Sequence, residues 1–167
     1  MASANLFAPT VSGSSITDLF LPSACAQFYL NADQTVAGVA VDTPLVFDTV
    51  VYAKGWEKDG TNPSQLVCPV SGLYEVVYSL FVSSVTGGTF RCWLSVNGTA
   101  VPSTGIRETL PAAEDTRVTG NAIVSMNKDD YLEFVLRGVA DLTADFSAGG
   151  GTIPDQPAAM LTIKQIG

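Results

Sequence analysis

The sequence contains no histidine. That absence removes the commonest general base, the Ser-His and Cys-His nucleophile pairs and the commonest zinc ligand together. Charge is scarce as well: Asp, Glu, Lys and Arg make up 14% of the chain, against about 25% in an average soluble domain. Part of the surface is therefore expected to be covered by protein. Basic residues are scarcer still, eight against sixteen acidic ones, for a net charge of −8. Such a chain repels phosphate backbones, so nucleic acid is not an expected partner. Lys54, Lys58, Lys128 and Lys164, like Arg91, Arg107, Arg117 and Arg137, stand singly along the sequence and form no basic membrane patch.

Other signatures are missing. No run approaches the roughly 18 apolar residues of a membrane-spanning helix. The first residues lack the basic start and apolar stretch of a signal peptide, and no Gly-X-Y stalk follows. The expectation is a protein made in the cytoplasm that works without a membrane or an anchor of its own. There is no G-x-x-x-x-G-K-[ST] loop, no strand-to-helix G-x-G-x-x-G and no G-x-S-x-G elbow. Cys25, Cys68 and Cys92 are odd in number and lack C-x-x-C spacing. They read as free, largely buried thiols, with one disulfide between two of them as the alternative.

What is present is a β pattern. Residues 1 to 25, rich in Ser, Ala, Thr and Gly, show neither helical nor strand period and read as an extended arm, with apolar pairs Leu6-Phe7 and Leu19-Phe20. From residue 26 to 167, short apolar runs alternate with turn residues, and no helical period persists. Strands are expected at 27–30, 36–41, 45–52, 65–68, 73–82, 89–96, 99–101, 118–126, 131–137 and 158–166, enough for a two-sheet antiparallel sandwich. Tyr131 to Arg137 alternates, with Leu132, Phe134 and Leu136 on a core face and Tyr131, Glu133, Val135 and Arg137 on a mostly wet one. In Leu73 to Val82, Tyr74, Val76, Tyr78, Leu80 and Val82 share one face, while Leu73, Val77 and Phe81 keep the other largely apolar. A strand apolar on both sides needs two covers: the core, and either a neighbouring subunit or an intrachain loop. Asn97-Gly98 signals a two-residue hairpin, which accounts for Asn97 without invoking the glycosylation sequon it also completes.

For chemistry, the residues offer little. Glu114, Asp115, Asp141 and Asp145, all in apparent loops, are the candidates for a carboxylate pair and read instead as solvated charges. Asn31 with Asp33, or Asp141 with Asp145, supplies hard oxygen ligands, but neither spacing matches a calcium loop. No catalytic residue, cofactor or metal is expected, and the chain is not read as an enzyme.

Leu66-Val-Cys-Pro-Val-Ser-Gly-Leu-Tyr-Glu-Val76 places a Pro-x-x-Gly turn before a long strand opening Gly-x-Tyr. With Pro44-Leu-Val-Phe-Asp48, Leu94-Ser-Val-Asn-Gly98, Thr119 to Met126 and Asn127 to Phe134 in order around it, this resembles the globular head of complement component 1q, a relative of the tumour necrosis factor jelly-roll. The likeness spans residues 26 to 166. Asp129-Asp130 replaces the usual Gly-Asp, and Ala158 to Ile163 lacks the aromatic-Gly-aromatic signature of the last strand.

The resemblance implies an all-β, two-sheet antiparallel jelly-roll forming a homotrimer. Carried over by position, Tyr74, Val76, Tyr78, Leu161 and Ile163 would lie at the subunit interface. The departures point away from the secreted animal branch and toward the viral, phage-type jelly-rolls. On that reading the chain is a capsid decoration or cement protein on the virion surface, a trimer bound to the major capsid protein, with Leu6, Phe7, Leu19 and Phe20 anchoring the arm. The alternative is a receptor- or glycan-binding head, a fibre tip or secreted ligand, using loops 102–117 and 141–157.

Overall fold

The computed structural model of the chain describes residues 24–139, 141–149 and 154–167. In chain order the strands are β1 (Cys25–Leu30), β2 (Gln34–Thr35), β3 (Thr43–Pro44), β4 (Thr49–Lys54), β5 (Glu57–Lys58), β6 (Leu66–Val67) and β7 (Gly72–Ser84). Then come β8 (Gly88–Val96), β9 (Thr99–Ala100), β10 (Ile106–Leu110), β11 (Glu114–Met126), β12 (Tyr131–Arg137), β13 (Thr143–Ala144) and β14 (Ala159–Gln165). All pairings are antiparallel. The expected all-β, two-sheet jelly-roll is what forms.

β7 is the spine. β11 runs along one of its edges from Gly72 to Ser84, and β14, then β13, share the other. β1 and β4 continue beyond β14, so the first sheet crosses as β4–β1–β14–β7–β11, with β2 on β13. The second sheet is β10–β8–β12–β6–β5, with β3 on β12 and β9 on β8. Alternation makes the core: Ala26, Phe28 and Leu30 of β1, Tyr74 to Val82 by twos on β7 and Leu161 and Ile163 of β14 are buried. They meet Phe90, Cys92 and Leu94 of β8 and Leu132, Phe134 and Leu136 of β12. Rings lock the two sheets, with Tyr78 edge-on to Phe134 at 5.2 Å and Trp56 edge-on to Tyr74 at 5.3 Å.

Four expectations are corrected. The strand at 36–41 does not form: the Val41 N–H bonds Gly38 O at 3.2 Å, closing a turn, and Ala40 has φ of 57°. The strand expected at 45–52 is broken, because Asp48 leaves the ladder and its carboxylate accepts the Asn31 N–H at 3.0 and 3.1 Å. The outer face of β12 is not wet at its centre, since Val135 and Glu133 are buried. Glu133 accepts from Ser64 Oγ at 3.1 Å and Ser95 Oγ at 3.3 Å, which satisfies a carboxylate that burial would otherwise penalise. The domain begins slightly earlier than residue 26, because Ala24 is buried and Cys25 already pairs with Lys164 and Lys54.

The hairpin at Asn97-Gly98 has φ of 51° and 74°, the left-handed pair that a type I′ turn requires. Gly120 has a different reason to be glycine. It lies opposite Tyr78 in register, and a Cβ built there would collide with the Tyr78 ring. The ring is held from its far end too, since its hydroxyl donates to Thr104 O at 2.7 Å.

Gly120→Ala should therefore destabilise the fold by about 1–3 kcal/mol, the usual penalty of overpacking. Thermal or denaturant unfolding of Gly120→Ala, Tyr78→Leu and the double variant checks this. The alanine should cost clearly less once the ring is gone, and additive losses would refute the contact.

Candidate functional site

The expected interface residues are not on a surface. Tyr74, Val76, Tyr78, Leu161 and Ile163 are buried within the sandwich of a single chain. The error is one of parity: a strand turns successive side chains to opposite faces, and the long apolar face of β7 is claimed by its own core. Tyr74 and Tyr78 also have internal acceptors, Val70 O and Thr104 O. Desolvation, the largest cause, raises both phenol pKa values. What β7 turns outward is Leu73, Glu75, Val77, Ser79 and Phe81, with Leu73 44% and Val77 38% exposed. The expected contact residues of the arm, Leu6, Phe7, Leu19 and Phe20, lie outside the described residues.

The registers assemble that outward face row by row. One row reads Thr49–Tyr29–Met160–Ser79–Thr119, and the next Tyr52–Gln27–Thr162–Val77–Asn121. The third is Lys54–Cys25–Lys164–Glu75–Ile123. Two rows thus cross five strands without a charged residue of their own, bordered by Lys54, Lys164 and Glu75 on one side and by Arg117 on the other. The Arg117 guanidinium reaches back to Ser79 Oγ at 3.5 Å, over the buried serine. Gln27 Nε2 donates to Thr162 Oγ1 at 3.3 Å, which fixes the centre of the belt.

The four carboxylates that sequence spacing left apart do converge. Glu114, Asp115, Asp141 and Asp145 line one cavity of about 500 Å³ with Ser83, Ser84 and Thr143. Glu114 and Asp115 sit on the opening residues of β11 and not in a loop. Asp141 is a clamp for the β7–β8 turn: its carboxylate accepts from the Thr86 N–H at 2.8 Å, Thr86 Oγ1 at 2.9 Å and Ser84 Oγ at 3.1 Å. The Thr86 N–H, above all, holds its pKa below the ordinary value. Asp33 accepts the Phe146 N–H at 2.8 Å, and the Asn31 Nδ2 donates to Thr49 Oγ1 at 3.2 Å. Asp130 likewise binds Asn97 Nδ2 and the Asn127 N–H, both at 2.7 Å, and these bonds lower its pKa. Among the described residues no group of three or more His, Cys, Asp and Glu side chains is arranged to hold a metal ion.

All three cysteines are free thiols. Cys68 and Cys92 are buried, and desolvation pushes the Cys92 thiol up to about 12, so it behaves as an apolar filler. Cys25 is only half-buried and faces outward beside Lys164. Of the loops expected to recognise a ligand, 102–117 proves to contain β10 and the start of β11. Sequence reasoning also missed a gathering of cations: Arg107, Arg91 and Arg137, isolated in the chain, stand directly opposite one another across β10, β8 and β12.

No protein-family model matches the sequence. No curated protein matches it either. Among solved structures, the chain is similar to the globular domain of zebrafish complement 1qA protein, with a TM-score of 0.60 and 14% identity over 87% of this chain and 98% of that one. The likeness is one of fold, and it agrees with the jelly-roll built from the registers above.

The Asp141 clamp generates a pH prediction. Its hydrogen bonds favour the ionised form, so its folded pKa lies below the unfolded one. The stabilisation is complete above the ordinary aspartate value of about 3.9 and is lost as pH falls through the lower folded value. The Thr86 amide proton should hold its chemical shift from pH 7 to 5 and titrate with a midpoint below about 3.9. In Asp141→Asn that titration should vanish.

Proposed function

We propose that the chain is a non-enzymatic, complement-1q-like head that acts as a homotrimer. Its subunits meet through the outward face of the β4–β1–β14–β7–β11 sheet, and the opposite sheet stays free to engage a partner. The uncharged belt of Tyr29, Met160, Tyr52, Gln27, Thr162 and Val77 carries this reading. Depletion of charge is what separates the centre of an interface from ordinary surface, and here it occurs on a protein of net charge −8. The absence of histidine and the use of Asp33, Asp130 and Asp141 as backbone clamps support a role without catalysis.

A second reading shares the trimer. On it the protein decorates or cements a viral capsid, with the segment before Ala24 gripping the major capsid protein on the virion surface. The scarcity of charge over the whole chain, 14%, favours it, because surface apposed to a shell needs little. The two readings separate when the full chain and a chain beginning at Ala24 are offered to undecorated capsids. Equal affinity of both would dismiss the arm's role, and no binding by either would dismiss the cement reading.

Light scattering at micromolar concentration should give the mass of three chains. Val77→Asp, which places a carboxylate in the centre of the belt, should weaken association by roughly 100-fold or more, about 3 kcal/mol. Val85→Asp, in the exposed β7–β8 turn, should leave the mass unchanged. A monomeric wild type, or a Val77→Asp protein that still associates, would refute the interface. A thiol reagent gives a second readout: Cys25 should be labelled more slowly in the trimer than in Val77→Asp.

A further inference from the structure

The outward face of the second sheet carries a feature that the fold does not need. Arg107 stands directly opposite Arg91, and Arg91 directly opposite Arg137, in one row across β10, β8 and β12. Like charges directly opposite on a sheet are unfavourable, and a guanidinium cannot relieve the repulsion by losing its proton. Arg137 is offset by Asp42 at 3.1 Å, with both side chains about half exposed. Arg91 and Arg107 form no ion pair among the described residues. Three of the chain's four arginines are thus held together, exposed, on a protein with twice as many acidic as basic residues.

The row borders a cavity of about 450 Å³ whose remaining walls include Trp93, Val101 and Ile106. On its other side a concavity of about 430 Å³ shares Arg91 and Arg137 with Thr89 and Val139. The arginines therefore form a ridge between two hollows. Adjacent strands lie about 4.8 Å apart, so the row spans on the order of 10 Å. That length fits two or three anionic groups on a compact ligand. Each guanidinium can bind a carboxylate or sulfate through two parallel N–H bonds, while the indole of Trp93 offers an apolar wall to a ring.

We infer that this face binds a short acidic saccharide, a carboxylated or sulfated oligosaccharide of two to four sugars. The site lies on the side-chain face of the sheet and not on its hydrogen-bonding edge, which suits a ring ligand better than an extended peptide adding a strand. The net charge of −8 disfavours a long polyanion, whose further charges would meet the acidic remainder of the surface. In the proposed trimer this sheet faces away from the threefold contact, so the site stays open. The inference deepens the head reading and names its ligand; it rests on that reading for its use, but the binding itself does not require the trimer.

The test uses the full chain and three probes: 3′-sialyllactose, a sulfated disaccharide and uncharged lactose. Of the two tryptophans, Trp56 is buried, so a change in indole fluorescence reports Trp93. Saturable binding of an acidic probe, at least 10-fold tighter than lactose and weakening as salt is raised, is expected. Arg91→Ala should lower affinity by 10-fold or more, and Arg91→Lys by less. Thermal stability of Arg91→Ala should hold or rise, because a like-charge contact is relieved, so lost binding cannot be blamed on unfolding. The inference is overturned if neither acidic probe binds at millimolar concentration, if lactose binds equally, if Arg91→Ala with Arg107→Ala binds undiminished, or if a glutamate-rich peptide binds more tightly than either saccharide. Light scattering on the same sample separates this failure from failure of the trimer.

Discussion

Burial of every second side chain of β7, from Tyr74 to Val82, is the constraint to which the rest of the structure answers. A strand of this length with Tyr, Val, Tyr, Leu and Val on one face needs a continuous apolar cover, and Trp56, Phe134 and the inward residues of β8 and β12 supply it. Because both edges of β7 are hydrogen-bonded along nearly their whole length, its orientation also sets that of β11, β14 and β13. Removing Leu80 at its centre would cost about 2–5 kcal/mol, a large share of the 5–15 kcal/mol by which a domain of ordinary stability stays folded.

The same constraint divides the surface in two. Once the alternating face of β7 is inside, its opposite face must be outside, and with it come the outward residues of β1, β4, β14 and β11. That side is broad and neutral through its middle, which suits protein contact. The second sheet turns out arginines, an indole and a buried Glu133 held by two serines, which suits selective recognition of a charged ligand. Acidic residues elsewhere are engaged in turns: Asp130 ties the Asn97 hairpin to β12, and Asp141 ties the β7–β8 turn to the chain leading into β13. Asp141 and Asp145, not Asp130, are the ones that meet Glu114 and Asp115 around one cavity.

Much of the architecture was legible. The runs 73–82, 89–96, 118–126 and 131–137 contain β7, β8, β11 and β12 or most of them, because each repeats apolar residues with period two and the last three stop at Asn97, Asn127 and Gly138. β10 was not legible: Ile-Arg-Glu-Thr-Leu is an edge strand with three exposed polar residues in the middle, and its partner, not its hydropathy, makes it a strand. The failure at 36–41 is the reverse, a continuously apolar segment that bonds the 138–142 stretch at Val36 and Ala40 but closes a turn on itself between Gly38 and Val41. Which face of β7 would be covered by its own chain was equally hidden, since both faces are apolar and only the position of β8 and β12 breaks the tie.

By itself the sequence determined an all-β sandwich without a histidine-based catalytic site, short of charge, with its hairpin at Asn97-Gly98; period, composition and turn chemistry are local, and local properties survive in a linear string. Tertiary structure alone decided that Tyr74, Val76 and Tyr78 are core while Val77 is surface, and that Arg91, Arg107 and Arg137, read along the chain as solitary cations, form one row. Cross-strand register brings together residues far apart in sequence, and no property of the residues taken singly specifies that register.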